Sequence, residues 1–290
     1  MHMNAMPSES VCWSNLRSIL FVPVTSTHLF AKATQRGADA LILDLEDGVP
    51  LNRKDEARQN LGAAVQALTS SAPILVRVNS DPVSLAADLR ALPLPSIAAV
   101  MLPKAESAYQ VQSVAEQLAR LHPHGKSVPL IPVIETPLGV VRVDSIATAH
   151  DSVVALGFGA EDYATEMSVE PTSAAVQWAA QVAANAAHAF KLASLGLPGS
   201  VAETADMASY GDLVSRARDM GFTGTVCIHP VQVPIANKGF SPTEAQLEWA
   251  RKVAAAGSEA ESKGLGAVIL EGRMLDRPII DRALQWLSKA

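Results

Sequence analysis

The sequence predicts an α/β fold of the (β/α)8 TIM-barrel type over residues 1–239, followed by a C-terminal helical extension over 240–290. Three observations carry this expectation. Eight short runs rich in Val, Ile and Leu recur with helix-type segments between them, the pattern of βα units around a parallel sheet. Most of these runs are apolar at successive positions, as strands must be when helices cover them outside and side chains fill the barrel inside. No GxGxxG follows the first run, which disfavours an open dinucleotide-binding sheet, and 290 residues suffice for one large barrel.

The elements follow in order. RSILFVP (17–23) is the first strand, and an amphipathic segment near 27–37, closed by Gly37, follows it. ALILDLED (40–47) is the second strand, before a charged helix over 53–68. PILVRVN (73–79) precedes a short helix at 83–91, and IAAVMLPK (97–104) precedes one at 106–121. PLIPVIET (129–136) runs into a helix starting at Pro137, where the missing N–H would have had no intrahelical acceptor. SVVALGFGAED (152–162) leads to an alanine-rich helix near 172–194. LGLPGSV (195–201) is the least strand-like of the eight runs, and GTVCIHP (224–230), after a helix at 209–220, is the last. The extension reads as a helix over 242–256, a flexible GSEAESKGLG, a strand or hairpin AVILEGRML and a final helix, expected to pack at a subunit interface.

Composition narrows the function classes. Hydrophobic residues at 49% and charged residues at 18% fit a soluble enzyme-like globule. A net charge of −6 argues against nucleic-acid and membrane partners, which want a basic face. The two cysteines, Cys12 and Cys227, lie too far apart for a metal finger and fit a reducing compartment. The N-terminus lacks a signal-peptide pattern and no apolar stretch reaches membrane-spanning length, so the expected location is cytoplasmic.

Barrel chemistry sits at the C-terminal ends of the strands. Asp44, Glu46, Asp47, Arg77, Lys104, Glu135, Glu161, Asp162 and His229 all fall at such ends, whereas Arg17 begins the first strand and belongs to the opposite rim. Glu135 and Asp162 end consecutive strands, so their carboxylates can converge on one ion. Two carboxylates, with the other positions left to water and substrate oxygens, suit Mg2+, and no His or Cys cluster competes for a softer metal. Arg77 offers a planar fork for a substrate carboxylate. Gly157 and Gly159 would let backbone approach a small ligand, and the candidate substrate-binding residues are Arg77, Glu135, Gly159 and Ala160. Asp44 or Glu46 could equally be structural, paired with Lys104 across the second and fourth strands; His122 and His124 read as loop residues, and His229 could equally lie away from the ligand.

RSILFVP, LILDLEDGV with KDEAR, VRVN, VMLPKAES, IPVIETPLGV, ALGFGAEDYA and GFTGTVCIHPVQVPIANKGFSPTEAQLEWARKV occur in this order over about residues 16–275. They resemble the citrate lyase β-subunit-like branch of the HpcH/HpaI aldolase/citrate lyase family. The resemblance implies a homotrimer or hexamer and a Mg2+-dependent carbon–carbon lyase that joins or separates a 2-oxo acid, such as oxaloacetate, and an acyl-CoA-type enolate, as in citryl-CoA or malyl-CoA lyases. By the family pattern Glu135 and Asp162 hold Mg2+, Arg77 binds the 2-oxo acid, and Glu46, Asp47 and Lys104 complete the catalytic polar shell. The chain departs from that pattern after the seventh strand, where many thioester-cleaving members carry Ile-Asp. Here LPGSVAE puts Gly199 at the acid's position, with Glu203 nearby, and the first loop reads VPVTS where VPG is common. Two alternatives accommodate the departure: a CoA-independent hydroxy-oxo-acid aldolase, or a non-catalytic subunit that binds metal and 2-oxo acid.

Overall fold

The computed structural model describes residues 11–68, 72–202 and 206–289. Eight strands, β1 (Ser18–Pro23), β2 (Ala40–Asp44), β3 (Ile74–Arg77), β4 (Ala99–Leu102), β5 (Leu130–Ile134), β6 (Ala155–Phe158), β7 (Ala193–Gly196) and β8 (Thr225–Cys227), form a parallel sheet in which sequence neighbours pair and β1 also pairs with β8. A parallel bridge from Leu195 to Gly224, with the Gly196 N–H donating to the Gly224 carbonyl at 2.9 Å, closes β7 onto β8. The expected barrel is therefore present.

Strand parity explains the unbroken apolar runs. Ile19, Ala40, Ile42, Leu75, Ala99, Met101, Ile131, Val133 and Ala155 belong to one buried cluster, which fills the barrel. Their sequence neighbours Leu20, Leu41, Leu43, Ile74, Val76, Val100, Leu102, Leu130 and Ile134 belong to a second, packed under the helices. Alternate residues point to opposite faces of a strand, and here both faces are dry.

The outer layer comprises α1 (Phe30–Ala33), α2 (Lys54–Leu68), α3 (Pro82–Ala91), α4 (Ala108–Leu121), α5 (Pro137–Val141), α6 (Val143–Ala147), α7 (Ala160–Met167), α8 (Ala174–Ala189), α9 (Met207–Asp219) and α10 (Gln232–Phe240). Starts are capped as the sequence suggests: Ser107 accepts the Gln110 N–H before α4, and Thr136 accepts the Gly139 N–H before α5, with Pro137 in the first turn. In α8, Ala179, Ala180, Ala183, Ala184 and Ala187 are all buried, and the helix lies against β6 and β7.

The structure moves several expected boundaries. The segment at 27–37 is a 3-10 turn (Thr27–Leu29) and the single turn α1, since a stretch this short has little to propagate a helix. The seventh strand is Ala193–Gly196, earlier than the expected 195–201; its small residues hide it, and Pro198 has no N–H to continue a ladder. The sixth strand stops at Phe158, and Gly159 is the N-cap of α7, so Glu161 and Asp162 stand in a helix's first turn and not on the strand.

Contacts divide the chain into two units, Met1–Phe240 and Ser241–Ala290. The second contains α11 (Glu244–Ser262), a hairpin of β9 (Val268–Leu270) and β10 (Arg273–Leu275), and α12 (Arg277–Leu287). Thr243 and Gln246 form a capping box at the start of α11. Residues 257–262, expected to be flexible, continue α11, because Gly257 lies where a Cβ would meet the Ile280 side chain of α12. Glu271 and Gly272 both take positive φ, as a two-residue hairpin of this twist requires. Trp249 and Trp286 pack at 5.6 Å between ring centroids, beside buried Ala250, Val253, Leu275 and Ala283. No described helix is long and apolar enough to cross a membrane.

Candidate functional site

The parity that fills the barrel also fills its mouth. Continuing the inward series of each strand by two residues leads from Ile42 to Asp44, from Leu75 to Arg77, from Val133 to Glu135 and from Gly157 to Gly159. These residues line a cavity of about 440 Å³ at the C-terminal end of the barrel, together with Asp47, Ala160, Glu161 and Asp162. Its size suits a small molecule.

Two groups of charges stand at this mouth. In the first, Asp44 and Arg77 are register partners on adjacent strands, and they form a bidentate pair: Nε donates to Oδ1 and Nη2 to Oδ2, both at 2.7 Å. Arg77 Nη1 also pairs with Glu46 Oε2 at 3.0 Å, and the guanidinium lies 4.7 Å above the Phe21 ring centroid. Asp44 further accepts the N–H groups of Glu46 and Gly48, so the loop after β2 is folded around its carboxylate. Burial would raise Asp44, but Arg77 and the two N–H donors outweigh it and hold the carboxyl below its ordinary value. The expected pairing of Asp44 or Glu46 with Lys104 does not occur, because Arg77 on the adjacent strand reaches them first. The planar fork of Arg77, expected to face a substrate carboxylate, is thereby engaged by Asp44.

The second group is less compensated. Glu135 follows β5 and is 6% exposed. One of its oxygens accepts the Lys104 N–H at 2.8 Å, a donor aimed by a left-handed backbone at Lys104 (φ 48°), the kind of local strain that clusters at functional sites. Burial and the charge of Asp162 push the Glu135 carboxyl up to about 8. Burial likewise lifts Glu46 to about 7; Arg77 opposes the shift, while Asp47, Asp44 and Asp162 add to it. The Lys104 ammonium pairs with Asp162 at 3.4 Å. Burial works against that ammonium's charge, but Asp162, Glu135 and Glu46 outweigh it and hold its pKa above the ordinary value.

Such mutual repulsion among buried acids is relieved by a cation. Glu135 and Asp162 could hold a divalent ion, and no group of three or more His, Cys, Asp or Glu among the described residues forms a ready-made cage. Two carboxylates with the remaining positions left to water and ligand fit Mg2+. Gly159 is part of the fit: a Cβ there would run into Glu135 Oε2.

Of the other candidates, Asp47 is exposed and lines the cavity, and Gly199 lines it beside Leu213. Glu203 lies outside the described residues. His229 is exposed, lies outside the cavity lining and gives its N–H to Gln232 Oε1. Arg17 pairs with Asp39 at 2.8 Å at the opposite end of the barrel, as expected. Sequence reasoning assigned no role to a polar network under the β2 loop. Lys54 Nζ donates to the carbonyls of Leu45 and Glu46 and to Asn79 Oδ1, while Asn79 and Arg58 both donate to buried Asp88. The KDEAR segment, which supplies Lys54 and Arg58, was the available signal.

The HpcH/HpaI aldolase/citrate lyase family matches residues 17–230. The citrate lyase subunit beta of Escherichia coli is 32% identical over 94% of this chain and 93% of its own length. The (3S)-malyl-CoA thioesterase of Cereibacter sphaeroides is 33% identical over 94% of each. The crystal structure of CitE from Mycobacterium tuberculosis in complex with magnesium, acetoacetate and coenzyme A matches with a TM-score of 0.73 and 32% identity, covering 94% of this chain and 97% of that one. A citrate lyase beta subunit from the same organism, complexed with oxaloacetate and magnesium, matches with a TM-score of 0.63 and 32% identity over 79% of this chain and all of its own. With a match of this length and relatives this similar along nearly the whole chain, the protein belongs to the HpcH/HpaI aldolase/citrate lyase family.

Proposed function

We propose that the protein is a Mg2+-dependent carbon–carbon lyase that separates a 2-oxo acid from an acyl-CoA-type enolate, or joins them. The observation that carries this reading is the pair of acids Glu135 and Asp162 lining the barrel mouth, with Glu135 buried beside the charge of Asp162 and Gly159 leaving room for the Glu135 carboxylate. Relatives with magnesium, oxaloacetate and coenzyme A bound support it. Mg2+ held by these two carboxylates would supply Lewis-acid stabilisation of charge developing on the 2-oxygen.

The chain's own residues supply the rest. Arg77, fixed by Asp44, brings a permanent positive charge to the cavity wall beside the substrate carboxylate. Lys104 orients Glu135 through its N–H and balances Asp162 through its ammonium. Glu46 and Asp47, in the loop after β2, complete the polar shell: Asp47 lines the cavity, and Glu46 pairs with Arg77. Gly159 and Ala160, at the start of α7, present backbone to the ligand. A homotrimer or hexamer with Ser241–Ala290 at a subunit interface, acting in the cytoplasm, completes the proposal.

Gly199 favours a second reading, an aldolase acting on free hydroxy-oxo acids, since it puts no carboxylate where thioester-cleaving relatives are expected to carry one. One assay separates the two: purified protein with Mg2+, given malyl-CoA, citryl-CoA and free 4-hydroxy-2-oxo acids. Cleavage of a thioester is the expected result, and turnover confined to the free acids would establish the aldolase. Binding of 2-oxo acids without turnover of any would make it a binding subunit.

A further inference from the structure

One residue touches both acids of the candidate metal site. The Lys104 N–H donates to Glu135 Oε1 at 2.8 Å, and the Lys104 ammonium lies 3.4 Å from Asp162 Oδ1. Lys104 stands two residues beyond the end of β4, and its left-handed backbone (φ 48°) lets it present the N–H to one acid and the side chain to the other. Arg77, the guanidinium at the same mouth, is engaged by Asp44 and Glu46. We propose that the Lys104 ammonium is the resident counter-ion of the metal site, which holds Asp162 in the metal-free protein, is displaced by Mg2+ and so sets how tightly the metal binds. The proposal rests on the reading of Glu135 and Asp162 as Mg2+ ligands and adds a determinant of their affinity.

Two cations compete here for one carboxylate. The ammonium's hold is loose: it stands at 3.4 Å, against 2.7 Å for Arg77 on Asp44, and the Lys104 and Asp162 side chains are 46% and 39% exposed. An ion pair this open favours its bound state by no more than about fivefold. Mg2+ carries twice the charge and binds oxygen at about 2.1 Å, so its Coulomb attraction to one carboxylate oxygen is about threefold that of the ammonium. The ammonium therefore yields. Part of the metal's attraction is nevertheless used to displace a like charge, so Mg2+ binds more weakly than it would to the same two acids with a neutral neighbour. In the metal-free protein the ammonium does the opposite service, relieving the repulsion between Asp162 and buried Glu135.

The test is calorimetric titration of the full-length protein with Mg2+ alone, beside thermal melting without metal. Lys104→Met and Lys104→Gln remove the charge at a half-exposed position and keep the main-chain N–H that Glu135 accepts. Each should lower the Mg2+ Kd by about fivefold and lower the metal-free melting temperature. Lys104→Arg, which keeps the charge, should leave the Kd close to the parent's. So should Arg120→Met, which removes the same charge from an exposed pair with Glu116 on α4. Unchanged or weaker Mg2+ binding in both neutral Lys104 variants, with or without a fall in melting temperature, would overturn the counter-ion and leave the Mg2+ site standing, as would an equal gain in Arg120→Met. Absence of Mg2+ binding in the parent and in every variant would overturn both.

Discussion

Asp44 and Glu135 are both buried carboxylates two residues beyond inward-facing core positions on the same barrel, and they behave oppositely. Asp44 meets a bidentate arginine and two backbone N–H groups and is held below its ordinary pKa. Glu135 meets one backbone N–H, faces the charge of Asp162, and is raised to about 8. Burial alone therefore does not make a metal ligand; the partners decide. A fully satisfied acid fixes the scaffold, while an acid left short of positive charge is the one a cation can claim.

The comparison breaks most sharply under substitution of Glu135. Glu135→Gln should lose Mg2+ binding measured by calorimetry, yet leave the metal-free fold as stable as the parent or more so, because the amide oxygen still accepts the Lys104 N–H and no charge has to be buried beside Asp162. Normal Mg2+ affinity in this variant would remove Glu135 from the site. Asp44→Asn should do the reverse, costing about 3 kcal/mol in urea unfolding because it strips Arg77 of its main partner. Less than about 1 kcal/mol would mean that Glu46 alone satisfies the arginine. Lys54→Met tests whether the network under the β2 loop helps hold Asp44's surroundings, since it leaves the carbonyls of Leu45 and Glu46 without that donor; a loss of about 2 kcal/mol is expected.

The comparison extends to pH. Glu135 and Glu46 have folded values above their ordinary 4.5, so the folded state retains protons that the unfolded state has released. Metal-free stability should therefore fall as pH rises from about 4.5 towards 8, with a slope of at most about 1.4 kcal/mol per pH unit for each group. Asp44 works the other way: its contribution is present above its ordinary value of 3.8 and is lost as pH falls through its lowered folded value. Mg2+ affinity should rise with pH towards 8 as Glu135 gives up its proton, visible as a buffer-dependent binding enthalpy. Unfolding midpoints at fixed ionic strength, with and without Mg2+, check the first trend, and a pH-independent affinity would contradict the second.

Much of this organisation is legible in the chain because strands obey a period of two. The apolar runs ending in DLED, VRVN, LPK and IET mark both the barrel and the strand ends that line its mouth. The weakest run, near 195–201, is displaced in the structure because ASLG carries little side chain to read, and the stretch over 257–262, expected to be flexible, is helical, with Gly257 packed against Ile280.

By itself the sequence determined the layered barrel, the identity of the charges at its mouth and the absence of an acid at Gly199, since each depends on local pattern or composition. Only the tertiary structure decided which charges meet. Asp44 lies in register with Arg77 across the β2–β3 ladder, and Lys104 turns its N–H towards Glu135 through a left-handed backbone. Asp162 reaches the mouth from the first turn of α7. These pairings join residues far apart along the chain, and electrostatic energy depends on separation in space, which no local pattern encodes.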